Sequence, residues 1–141
     1  MSDPSGKTVA VVVVEDDADM RQAIGRLLRA ARFHAMAFAS AEELLEADIA
    51  TSAGCLVLDI NLPGINGFEL QERLAQRGAR PPIIFVTAYD RPAARTQAAK
   101  AGAIAFLCKP FAAEALINAV RRAFNRRESY PGAAGSRSDP Q

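Results

Sequence analysis

The chain has 141 residues, enough for one domain with a substantial core. Half of them are hydrophobic, too many for a disordered chain, and 17 basic against 16 acidic residues leave a net charge of +1. No overall field therefore draws the chain to nucleic acid or to an acidic surface. No apolar run exceeds the length of a strand, which argues against a membrane span. The opening MSDPSGKT lacks the basic start and long apolar core of a signal peptide, so the expected location is the cytosol.

Val9 to Val14 is short, continuous and β-branched, and reads as a strand buried on both faces. From Ala18 to Ala31, Met20, Ala23, Ile24, Leu27, Leu28 and Ala31 fall on one helical face. Phe33 to Phe38 is a second strand. Ser40 with Glu43 three residues on predicts a capping box for a helix carrying Leu44 and Leu45. Gly54 to Leu58 is a third strand. The cluster from Pro63 to Gly67 is a turn, and a helix with Phe68, Leu70 and Leu74 follows until Gly78. Pro82 to Val86 is the fourth strand. Pro92 suits the first turn of a helix running to Lys100, ended by Gly102. Ile104 to Cys108 is the fifth strand, and the last helix buries Leu116, Ile117, Val120 and Phe124.

Arg121, Arg122, Arg126 and Arg127 crowd the end of that helix. Nothing aromatic interleaves them, so favourable charge at a helix C-terminus accounts for them better than a nucleic-acid patch. Residues 1–7 are expected to be disordered and 128–141, with little to bury, to be a disordered tail or a linker, which leaves 8–127 as the domain. Cys55 and Cys108 sit in apolar runs and read as small buried hydrophobes rather than a disulfide, metal pair or nucleophile. The single histidine, His34, has no partner for a metal set or a hydrolytic triad and reads as a strand-edge residue.

Strands alternating with helices imply a parallel, doubly wound α/β sheet with helices on both faces. In such sheets chemistry sits beyond the carboxyl ends of the strands. The first strand ends in Glu15, Asp16 and Asp17, the third in Asp59, the fourth in Thr87 and the fifth in Lys109. Each has an ordinary explanation alone, but together they converge on one edge of one sheet. Clustered carboxylates without His or Cys select a hard divalent ion, Mg²⁺ or Mn²⁺. A carboxylate can attack phosphorus to form an acyl phosphate, while the ion and a lysine neutralise the phosphoryl oxygens. No glycine-rich phosphate loop is present, so ATP binding is not indicated.

The segments VVVVEDD, VLDINLPGINGFEL, IIFVTAYD and GAIAFLCKPF, in this order and spacing, resemble the receiver domain of two-component response regulators over about residues 8 to 127. The resemblance implies a flavodoxin-like (βα)5 fold with strand order 2-1-3-4-5. It implies Asp59 as phospho-acceptor, labelled in a Mg²⁺-dependent reaction from a sensor histidine kinase or phosphotransfer protein. Glu15 and Asp16 match the acidic pair, aligned by Arg21 five residues past Asp16, which makes Asp17 a helix-start acid. The metal set is Glu15, acting through water, with Asp16, Asp59 and the Asn61 backbone carbonyl. Pro63 and Gly67 match the family's turn. Thr87 matches the switch hydroxyl, Phe106 the switch aromatic, and Lys109 the phosphoryl-contacting lysine, whose bond to Pro110 is commonly cis. The fourth helix, fifth strand and fifth helix then form a two-state surface for dimerisation or docking.

The sequence most resembles receivers of transcriptional regulators, although no helix-turn-helix domain follows Glu128. The expectation is a single-domain regulator or one cut in its linker, with no direct nucleic-acid or membrane binding of its own. In the implied strand order, the fourth strand separates Cys55 from Cys108 by more than a disulfide can span. Two rivals remain at this level. One is a phosphohydrolase using an acid of Asp17-Ala18-Asp19 as nucleophile. The other is a receiver-like scaffold that is never phosphorylated.

Overall fold

The computed structural model describes residues 9–129, with side chains through Arg126. In chain order the elements are β1 (Ala10–Val14), α1 (Ala18–Ala30), β2 (His34–Phe38), α2 (Ala41–Ala47), β3 (Cys55–Asp59), α3 (Gly67–Gln76), β4 (Ile83–Thr87), α4 (Pro92–Lys100), β5 (Ala105–Cys108) and α5 (Ala113–Ser129). A 3-10 turn at Ala50–Ser52, unmarked by any periodicity, leads into β3. The strands are all parallel, in the order β2-β1-β3-β4-β5. Helix α5 continues two residues past the expected domain end at 127, and helix ends commonly differ by that much. Of the segments expected to be disordered or linker, 1–7 and 130–141 lie outside the described residues, while 128 and 129 are the last residues of α5.

The three inner strands are buried along their whole length, which is why each reads as a continuous apolar run. Alternate residues feed two cores. Val12, Val14, Leu56, Leu58 and Phe85 pack with Leu44, Leu70, Leu74 and Ala98 of α2, α3 and α4. Val11, Val13, Val57, Ile84 and Val86 pack with Ile24, Leu28, Leu116, Val120 and Phe124 of α1 and α5. Each fully buried aliphatic side chain here contributes about 1.5–3 kcal/mol.

Strand boundaries shift by one residue from those read in the sequence. Gly54, Pro82 and Ile104 flank the ladder: the Gly54 N–H donates to Ala10 O, Leu56 N–H to Pro82 O and Ile104 N–H to Ile83 O. At the other end Asp59 and Thr87 still belong to their strands, because Asp59 pairs with Val86 and Thr87 with Cys108. The acceptor and hydroxyl candidates are thus held by the sheet itself.

Helix starts follow local chemistry. Asp17 caps α1 by accepting the Met20 N–H at 3.1 Å. Ser40 accepts the Glu43 N–H at 3.1 Å, but Glu43 returns its bond to the Ala39 N–H, so the expected capping box is displaced by one residue. The complete box is Asn66 with Glu69 on α3, signalled by an Asn three residues before a Glu that the turn reading of Pro63 to Gly67 passed over. Gly78 and Gly102 take positive φ just beyond α3 and α4.

Both cysteines are free, on strands separated by β4. Cys55 is buried among apolar side chains, which pushes its thiol up to about 12 and leaves it inert. His34 opens the edge strand β2 and is exposed.

Gly54 is where α5 presses on the sheet. A Cβ there would lie 2.3 Å from Phe124 Cε1 and 2.6 Å from Val9 Cγ1, and the Phe124 ring is itself stacked on Phe33 at 5.3 Å. Gly54→Ala is expected to cost about 1–3 kcal/mol through overpacking. The readout is a lower urea midpoint with unchanged slope; an unaltered midpoint would mean that α5 can yield.

Candidate functional site

The carboxyl end of β1 delivers Glu15 and Asp16 between β2 and β3. Glu15 is buried, with its backbone N–H donating to Phe38 O, while Asp16 is exposed. Arg21, one turn into α1, folds back so that its Nη1 donates to Glu15 O at 2.9 Å and to Asp16 O at 3.4 Å. It pins the backbone of the acidic pair, a role that its spacing alone did not disclose.

Asp59 closes β3 and is 4 % exposed. Its Oδ1 accepts the Asn61 N–H at 2.9 Å and its Oδ2 accepts Lys109 Nζ at 2.9 Å. Lys109 Nζ also donates to Glu15 Oε1 at 2.7 Å, and Glu15 Oε2 accepts the Asp17 N–H. The Lys109-Pro110 peptide bond is cis. Behind Asp59, Gly67 brings the start of α3 onto the strand end; a Cβ there would lie 2.6 Å from Asp59 O.

One ammonium thus bridges two buried carboxylates. Burial is the largest influence on Glu15 and raises its pKa, while Lys109 and the Asp17 N–H oppose it and the Asp59 charge adds to it; the net shift is upward. For Lys109 burial works downward, but the bonds to Glu15 and Asp59 outweigh it and hold the pKa above the ordinary lysine value. Lys109 is therefore an ammonium at neutral pH.

Carboxylate oxygens of Glu15, Asp16 and Asp59 lie within 4.8 Å of one another. Three carboxylates facing one lysine leave an excess of negative charge, and an all-oxygen donor set fits Mg²⁺ or Mn²⁺. Both Glu15 oxygens already accept hydrogen bonds, whereas the Asp16 carboxylate makes none among the described residues.

Thr87 ends β4, buried, at the same edge. Its hydroxyl donates to Asn61 Oδ1 at 2.8 Å, lies 3.2 Å from Tyr89 O and accepts the Tyr89 N–H at 3.0 Å. The Asn61 side chain and the Tyr89 backbone as partners of Thr87 were not foreseen. Phe106, on β5, packs toward the α4 side of the sheet, and the Arg95 guanidinium lies 4.8 Å over its ring. Arg95 is held by both oxygens of Asp90. Helix α4 buries only Ala98, in keeping with a weakly anchored element.

Nothing else in the described residues assembles comparable chemistry. A cleft of about 710 Å³ opens at the opposite ends of the strands between Ala79, Pro82, Ile83 and Gly102 and has no acid in its lining. Of the described arginines of α5, Arg121 borders a hollow with Arg32, and Arg126 borders that cleft with Arg80. No described helix is long and apolar enough to cross a membrane.

Residues 11–121 match the family described as the response regulator receiver domain. The chain belongs to that family. It is 39% identical over 119 residues to the transcriptional regulatory protein TdiR of Thauera aromatica, covering 84% of this chain and 52% of TdiR. It is 40% identical over 116 residues to nodulation protein W of Bradyrhizobium diazoefficiens, covering 82% of this chain and 51% of that protein. The chain spans about half the length of these relatives. The response regulator StyR superposes with a TM-score of 0.78 at 40% identity, over 86% of this chain and 64% of StyR. A receiver protein from Burkholderia phymatum gives 0.71 at 40% identity, over 84% of this chain and 96% of that one. The flavodoxin-like strand order and the receiver family are therefore those that the motifs implied.

Proposed function

We propose that this receiver domain accepts a phosphoryl group on Asp59 from a phosphohistidine of a sensor histidine kinase or phosphotransfer protein. The observation that carries the reading is Lys109, which reaches both Asp59 and Glu15 across the ends of three strands. A carboxylate oxygen of Asp59 attacks phosphorus, the phosphorus–nitrogen bond breaks, and its electron pair returns to the donor imidazole. Lys109 holds its ammonium against the oxygen-rich centre and stabilises the charge carried by the transferring group. Asp16, Asp59 and the Asn61 backbone carbonyl, with Glu15 acting through water, would hold Mg²⁺ or Mn²⁺, which would supply further neutralisation. Water later attacks the acyl phosphate, so the domain assists its own labelling and its own reset without turning over free metabolites.

The output belongs to the rest of the system. The labelled domain biases the face of α4, β5 and α5 through Thr87 and Phe106, and thereby controls a homodimer or an output partner. Relatives named as transcriptional regulatory proteins favour a role in transcriptional control.

Incubation with acetyl phosphate and Mg²⁺, followed by mapping of the trapped acyl phosphate, tests the reading directly. The label is expected on Asp59; a label on Asp17 or Asp19 would favour the phosphohydrolase, and none at all the scaffold. Asp16→Ala is expected to reduce metal-dependent labelling to the level seen in excess chelator, since Asp16 is the exposed carboxylate of the cluster. Labelling by Asp16→Ala equal to wild type would remove Asp16 from the metal set. Phe106→Ala is expected to label normally but to lose most of the label-induced change in hydrogen exchange along α4. Impaired labelling in that variant would make Phe106 a support of the site instead of its transmitter.

A further inference from the structure

We infer that the Asn61 side chain is a positioning residue that latches the Thr87 hydroxyl in the resting domain and must release it before Thr87 can bond a phosphoryl oxygen. This rests on the phosphoryl reading above. A threonine hydroxyl has one proton, and here it points to Asn61 Oδ1 at 2.8 Å, nearer than its alternative at Tyr89 O, 3.2 Å away. The two partners are unequal in exposure. Thr87 is 1 % exposed, so water cannot replace a lost partner for its hydroxyl, whereas Asn61 is exposed and can give up the bond to solvent.

The same residue touches the acceptor. The Asn61 backbone N–H donates to Asp59 Oδ1 at 2.9 Å while its side chain holds Thr87, so one residue joins acceptor and switch. A phosphoryl oxygen is a charged acceptor and outcompetes a neutral carboxamide for the Thr87 proton. The exchange is thus unfavourable in the resting domain and favourable once the phosphoryl group has arrived. Asn61 thereby sets the threshold at which Thr87 turns, by a contact independent of its backbone carbonyl.

Asn61→Leu removes the acceptor, keeps the branching and number of side-chain heavy atoms, and leaves the backbone groups in place. With beryllofluoride and Mg²⁺ as the probe, followed by NMR, Asn61→Leu is expected to bind about fivefold more tightly than wild type, the worth of one neutral hydrogen bond. In a Thr87→Val background the same substitution is expected to change affinity by less than about twofold, since no hydroxyl remains to be latched. Unliganded Asn61→Leu is also expected to redistribute the Thr87 side-chain rotamer, read from methyl couplings. Equal effects in the two backgrounds, unchanged or weaker binding, or an unaltered rotamer would each overturn the latch. Failure of the wild type to bind beryllofluoride would instead refute the phosphoryl reading, and the unliganded rotamer would then decide the latch alone.

Discussion

Asp59→Asn is expected to reduce phosphoryl incorporation to background while leaving the fold intact. Asparagine keeps the size of the side chain and an oxygen that can accept from Lys109 or from the Asn61 N–H. It removes the anionic oxygen that attacks phosphorus, and a neutral carboxamide is a poor nucleophile at phosphorus. Asp17 is badly placed to substitute, because it is committed to capping α1. Labelling with a phosphohistidine donor or acetyl phosphate, with circular dichroism as a check on folding, reads the result. Labelling of a folded Asp59→Asn domain to the wild-type level would sink the assignment.

Lys109→Met is expected to cost about 3 kcal/mol in metal-free buffer at about pH 8, because removing one member of a buried ion pair strands the charge of its partners. The side chains of Lys109, Glu15 and Asp59 are 16 %, 2 % and 6 % exposed, so solvent screens them little. The pH dependence follows from the two raised pKa values. The Lys109 value is raised above its unfolded value, so its contribution is fully present below the ordinary lysine range and is lost only as pH rises through the folded value. Across neutral pH it is constant. Glu15 is also raised, so the folded domain holds its proton more tightly than the unfolded chain does. The stability linked to that proton is present below the ordinary carboxylate range and is lost as pH rises through the folded value.

Without Lys109 an opposing influence on Glu15 is gone and its pKa moves higher still. The deficit of Lys109→Met is therefore expected to shrink as pH falls from about 8 to about 5, and added Mg²⁺ is expected to stabilise the variant more than wild type. Urea titrations at the two pH values measure both effects. A deficit that stays constant or grows on acidification would mean that Glu15 and Lys109 are not coupled as described.

How much of this was legible in the chain differs from one residue to the next. Val9 to Val14, Gly54 to Leu58 and Pro82 to Val86 announced buried parallel strands because a strand covered on both faces has no polar alternation to hide its length. Asp59, Thr87 and Lys109 stood out because a polar residue after such a run must sit at the sheet edge. The resemblance made Asp17 a helix-start acid, and the structure shows it capping α1 through a near neighbour, Met20. Local chemistry and period thus determined the element order and the position of the candidate site.

The partnerships within the site came from folding alone. Glu15 and Lys109 are 94 residues apart and meet because β1 and β5 end at the same edge of one parallel sheet, where the lysine side chain reaches back past β4 to Asp59 and Glu15. Asn61 reaches Thr87 across the β3–β4 pair, and Tyr89 contributes only its backbone, which carries no side-chain signature. Arg95 covers Phe106 because α4 crosses beside β5. The residue types at the strand ends were written in the sequence; which atoms meet there was decided by strand order and one-residue register, since a hydrogen bond depends on ångström-scale placement that periodicity does not encode.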